Sequence, residues 1–136
     1  MEVLTLKVRI AMLWLFQAVI MSATSLLSLM TPGMIEQVMT GEVEGLQMTT
    51  GMLLFMALFW LIPLIMAFLC VTLRDSANRW TNVVLGLVFA VWSTFHLALH
   101  IMGGQLPLEQ LLLHAALIVA PALIVWYAWR WPKPVA

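Results

Sequence analysis

The sequence predicts an all-α fold: a four-transmembrane-helix bundle with a short interfacial helix between the first and second spans. Three observations carry this. The chain is 64% hydrophobic and 9% charged, with a mean hydropathy of +1.06, whereas soluble domains carry about 25% charged residues. Its apolar residues gather into four uncharged runs. Its basic residues all fall at one end of the arrangement those runs imply.

The runs are Ile10–Met30, Gly51–Leu73, Trp80–Met102 and Leu111–Trp129, and none contains Asp, Glu, Lys or Arg. Each is close to the ~20 residues that cross about 30 Å of hydrocarbon at about 1.5 Å per residue. A charged side chain at a helix centre costs on the order of 3 kcal/mol on insertion, so the exclusion is what the bilayer demands. No small-residue cleavage site follows the first run, so it is expected to be a retained span that also directs insertion. Residues 1–136 are expected to form a single integral membrane domain.

The connecting segments set the orientation. Lys7 and Arg9 precede the first span, Arg74 and Arg79 lie between the second and third, and Arg130 and Lys133 follow the fourth. The opposite side carries Glu36, Glu42, Glu44 and Glu109 and no basic residue. With loops this short the positive-inside rule applies, and it places both termini in the cytoplasm. Trp126–Trp131 reads as an aromatic belt with a basic anchor. Arg74–Trp80 reads as a topological anchor with a capped helix start, or as a contact for anionic headgroups.

The longest loop runs from Thr31 to Thr50. Thr31-Pro32 suggests an N-cap followed by proline at the first helical position. Met34, Ile35, Val38 and Met39 give one apolar side opposite Glu36 and Gln37, and Gly41 is a plausible stop. The segment is expected to be a short helix in the interface, or else a connector with one amphipathic turn.

Polar residues inside the spans mark the faces that turn inward. In the third span Asn82, Gly86, Phe89, Ser93, His96 and His100 fall within about 40° of one line at ~100° per residue. A second row, Gly86, Ala90, Thr94 and Ala98, has small residues at every fourth position and suits close helix approach. The first span offers Gln17, Met21, Thr24 and Ser28. The fourth offers Gln110, His114 and Pro121. The second offers Met52, Met56, Phe59, Pro63 and Cys70, whose methionines read as core filler rather than Cu(I) ligands.

The histidines are the candidate chemistry. His96 and His100 lie one turn apart on one face. The short connection after Met102 makes the third and fourth spans antiparallel neighbours, which brings His114 to the depth of His96, roughly 10 Å inside at ~1.5 Å per residue. Glu109 stands near the mouth. Candidate ligands are therefore His96, His100, His114 and Glu109, a set that would suit zinc, copper or haem, or would relay protons. Against this stands a structural role, in which the histidines only hydrogen-bond across helices.

Several segments carry a resemblance: Lys7–Phe16 (KVRIAMLWLF), Met39–Gly51 (MTGEVEGLQMTTG), Ala77–Trp80 and Trp126–Pro132 (WYAWRWP). They resemble a bacterial family of small, uncharacterised four-helix integral membrane proteins, a domain of unknown function. The resemblance spans nearly the whole chain and implies four membrane helices and no particular reaction. The histidines lie outside these segments.

Composition and motifs order the function classes. Zero net charge argues against nucleic acid as a partner. The single Cys70 excludes an internal disulfide. No nucleophile with a nearby base and orienting acid is visible, so an enzyme is not expected. The leading expectation is a non-enzymatic membrane component or accessory subunit without a cofactor, whose partners are the lipid bilayer and a second copy or a membrane-complex subunit. The alternative is a metal- or haem-binding protein using the histidines. A small transporter ranks third, because proton-coupled exporters of this size rely on an intramembrane carboxylate that this chain lacks.

Overall fold

Residues 3–29 contain neither glycine nor proline, so nothing interrupts the first helix. In the computed structural model, which describes residues 2–104 and 106–132, α1 spans Val3–Leu29. The other long helices are α3 (Thr50–Thr72), α4 (Asp75–Met102) and α5 (Leu108–Trp129). All four are long and apolar enough to cross a membrane, so the chain is a multi-pass membrane protein. The helices begin up to seven residues before the uncharged runs, because a helix continues through the interface where charges are tolerated. Lys133 lies outside the described residues.

Between α1 and α3 sits the short helix α2 (Met34–Thr40). It starts later than Thr31-Pro32 suggested. Gly33, with φ of 86°, holds the N-cap position and no side chain caps the helix; the Thr31 carbonyl instead accepts from Met34 N in a preceding turn. Gly41 ends the helix as expected, with φ of 75°. A two-stranded hairpin, not expected from the sequence, comes next, made of β1 (Glu42–Val43) and β2 (Leu46–Gln47). Its turn residues Glu44 and Gly45 have φ of 50° and 78°, the paired positive φ of a two-residue hairpin turn. Gln37 Oε1 accepts from Glu44 N at 2.9 Å and ties the hairpin to α2.

The packing order around the bundle is α3, α1, α5, α4: α1 packs along both α3 and α5, and α4 packs along α5. Although α3 and α4 are joined by the tightest connection, their backbones come close at few positions. Gly86 shows how close α4 and α5 come, since a Cβ there would lie 2.7 Å from Val125 Cγ2. The rest of the small-residue row is not used inside the bundle: Thr94 and Ala98 are exposed.

Polar contacts identify the two ends. At the basic end Lys7 Nζ bonds the Leu73 carbonyl at 3.1 Å and pairs with Asp75 at 2.8 Å. The α4 start is not capped by a side chain; Asp75 instead places a negative charge in the first turn, where the helix dipole favours it. Arg79 lies over the rings of Trp80 and Trp129, and Arg130 over Trp126 at 3.9 Å, which gives the expected aromatic belt its cations. Just inside this end, Asn82 Oδ1 accepts from Trp14 Nε1 at 2.7 Å and from Cys70 Sγ at 3.3 Å. Asn82 Nδ2 donates to the Asn78 carbonyl and side chain, and Asn78 Nδ2 donates to the Cys70 carbonyl. This clasp joins α1, α3 and α4 beneath the apolar core of Trp14, Met66, Phe89 and Ile124.

Candidate metal centre

The acidic end is built by α1, α4 and α5. The inward stripe of α4 delivers His96 and His100, and the first two turns of α5 deliver Gln110 and His114. Gln110 Nε2 reaches across to α1, 3.4 Å from both the Thr24 carbonyl and Ser28 Oγ, which docks the start of α5 against the end of α1. That places His114, one turn further on, opposite His96.

The three histidines converge. One ring nitrogen from each of His96, His100 and His114 lies within 4.8 Å of the others. The ring centroids stand 4.6 Å apart for His96 and His100, 5.1 Å for His100 and His114, and 5.3 Å for His96 and His114. His96 Nδ1 and His114 Nε2 are 3.1 Å apart. His114 Nδ1 is 2.8 Å from the Gln110 carbonyl oxygen. A carbonyl can only accept, so Nδ1 carries the proton and Nε2 presents its lone pair toward His96. A backbone carbonyl on the far nitrogen is the support that metal-binding histidines commonly have.

The His96–His114 pair is spaced for a small ion, and His100 can join it with a modest side-chain shift. With Zn–N bonds of 2.0–2.1 Å, two ligands of a tetrahedron stand about 3.3 Å apart, close to the His96–His114 separation. Three neutral imidazoles are a donor set that suits zinc, copper, nickel and iron. Haem does not fit between them: rings in mutual contact leave no room for a macrocycle.

Glu109 is not part of the cluster. It is exposed on the first turn of α5, because the turn that aims Gln110 inward rotates its predecessor away by ~100°. Glu44 lines the approach instead. With Ser28, Thr31, His100, Gln110 and His114 it borders a vestibule of about 410 Å³ at the acidic end. The sequence carried a trace of this in the Glu44-Gly45 turn signal, but not the distance the hairpin spans to reach the histidines. Gln110 Oε1 is buried there and has no hydrogen-bond partner among the described residues.

A second cavity lies deeper and to the side. It occupies about 190 Å³ and is lined by α1, α3, α4 and α5, with His96 on its wall. Phe59 of α3 stacks on Phe89 of α4 at 4.6 Å and lies 5.7 Å from Trp92. Of the stripe read in the second span, Pro63 and Cys70 are buried, Met52 and Phe59 are half-buried, and Met56 is exposed.

No curated protein and no solved structure matches the chain. A family model does match, over residues 5–135, and it carries only the description of a family of unknown function. The segments that carry the resemblance are thus part of one continuous family domain, and the chain belongs to the family of unknown function DUF6326.

Proposed function

We propose that the protein is a non-enzymatic membrane component that holds a first-row transition metal ion, with zinc as the ion to test first, on His96, His100 and His114. The observation that supports this above all is the convergence of three ring nitrogens within 4.8 Å, one of them oriented by the Gln110 carbonyl. A three-histidine set leaves a fourth position for water or an anionic ligand. Gln110 Oε1 is available to accept from a water there, and Glu44 puts a carboxylate at the entrance. We place the protein in a bacterial inner membrane, as the family resemblance implies, with the basic end in the cytoplasm on the strength of the charge asymmetry, so that the vestibule opens to the outside.

The test is a zinc titration of detergent-solubilised protein against a competing chelator. One equivalent should bind, and His114→Ala should weaken binding by at least about 100-fold, given that even partners of a ligand change affinity 10–100-fold. Binding should also weaken as pH falls from 7 to 5, because imidazole ligates as the neutral base and the proton competes with the ion. Equal zinc affinity in the native protein and in a variant with all three histidines replaced by alanine would refute the site. The cluster would then be a hydrogen-bonded tie between α4 and α5.

A further inference from the structure

We infer that the cleft between α3 and α4 binds a membrane-dissolved aromatic alcohol of the phenol class, its ring against Phe59, Phe89 and Trp92 and its hydroxyl donating to Gln17 Oε1. The cleft exists because the backbones of these helices come close at few positions, leaving Phe59, Phe89 and Trp92 to bridge the gap, so the bundle is open on that side to whatever surrounds it. In a membrane that surrounding is lipid, and a ligand enters sideways rather than through water. The rim residues Phe55, Trp60 and Trp92 are exposed, whereas Gln17, Phe89, Ser93 and Leu117 at the floor are buried.

Two independent features define the occupant. The first is shape. About 190 Å³ is somewhat more than the ~150 Å³ apolar cavity that accommodates benzene in an engineered protein, so a single substituted ring fits. Phe59 and Phe89 are already stacked within 16° of parallel, and an aromatic guest adds to such a wall by offset or edge-on contact. The second is a polar demand. Gln17 is 1% exposed, it lines this cavity, and its Oε1 has no donor among the described residues. The hydroxyls of Thr24 and Ser25 beside it are turned back to their own helix, donating to the carbonyls of Ile20 and Met21. A buried carboxamide oxygen without a donor is costly in apolar surroundings, and a ligand hydroxyl would remove that cost. A lipid acyl chain would fill the space but bring no donor. The inference goes beyond the metal reading and does not depend on an ion, although His96 is common to both walls and a bound ring would lie beside it.

The experiment is a calorimetric titration of chelator-treated protein in nanodiscs, referenced to empty nanodiscs. The probes are 4-pentylphenol, its methyl ether and the saturated 4-pentylcyclohexanol. The phenol should bind roughly three- to tenfold more tightly than the ether, the span of one net hydrogen bond. Gln17→Met, which keeps the volume and removes the acceptor, should abolish that preference; comparing the ratio in the two proteins cancels partition into the bilayer. The cyclohexanol should bind more weakly than the phenol. Equal binding of phenol and ether to the native protein, a preference that survives Gln17→Met, or no binding of any probe because a lipid chain fills the cleft would each overturn the inference. Should Gln17→Met fail to fold, Trp92→Leu at the exposed rim should lower affinity for the phenol and not for the cyclohexanol; an equal loss for both would overturn it.

Discussion

Just inside the basic end, Asn78, Asn82, Cys70 and Trp14 spend their hydrogen-bonding groups on one another, across three helices. Toward the acidic end α1, α4 and α5 also carry polar side chains, yet the result is different. Gln17 Oε1 and Gln110 Oε1 are buried without partners among the described residues, three histidines crowd together, and two cavities open beside them. The basic boundary also has buried donors without a partner among the described residues, Arg79 Nε and Trp131 Nε1, but these lie at the level of the charged loops. Saturated polar groups stabilise and specify a structure, whereas unsaturated ones in a cavity are available to a ligand. One half of the bundle therefore reads as the part that holds it together and the other as the part that binds.

The comparison can be broken experimentally. The largest effect should be on ligand binding at the acidic end: His114→Ala should weaken zinc by at least about 100-fold while the melting temperature of the metal-free protein shifts only slightly. A melting shift as large as that of a clasp variant would mean that the histidines are structural. Asn82→Ala should do the reverse. It removes the hub of the clasp and leaves Trp14 Nε1 unpaired, for a loss of about 2–3 kcal/mol, with zinc affinity unchanged. Gly86→Ala should cost about 1–3 kcal/mol by overpacking, because its Cβ would collide with Val125; a neutral result in reversible unfolding would show that α4 and α5 can part there. Smallest of all, Gln17→Met should change the stability of the ligand-free protein by less than about 1 kcal/mol, since the oxygen it removes has no partner to lose. A large loss would place Gln17 with the clasp rather than with the cleft.

Much of the scaffold was legible because lipid leaves few choices. A run of about 20 uncharged residues must be helical, and the inward stripes of α1, α4 and α5 followed from where Gln17, Thr24, Asn82, Ser93, Gln110 and His114 fell on a 100° wheel. That periodicity brought His96 and His114 to one level, as expected. It could not decide which sequence neighbours pack. The expected contact of α4 with α5 exists, but α3 and α4, with the shorter connection, meet through only a few side chains, and the cleft between them has no sequence signature. Nor could it separate Glu109 from Gln110, adjacent residues of which one turns inward and the other outward. Glu44 was the reverse error. A carboxylate in a loop carries no periodicity, and only the positive-φ turn at Glu44-Gly45 explains how the hairpin folds back to put that residue at the vestibule.

The thin seam between α3 and α4 also bears on how the chain is made. As the polypeptide is threaded into a bilayer in order, α3 finds α1 already waiting along its length. The next helix is the least fortunate: α4 is the least apolar of the four spans, its polar stripe runs from Asn78 to His100, and its predecessor meets that stripe only at Asn78, Asn82 and Phe89. The His96–His100 end stays uncovered until Leu108–Trp129 follows, so the last helix acts as a fastener that arrives after the part it secures.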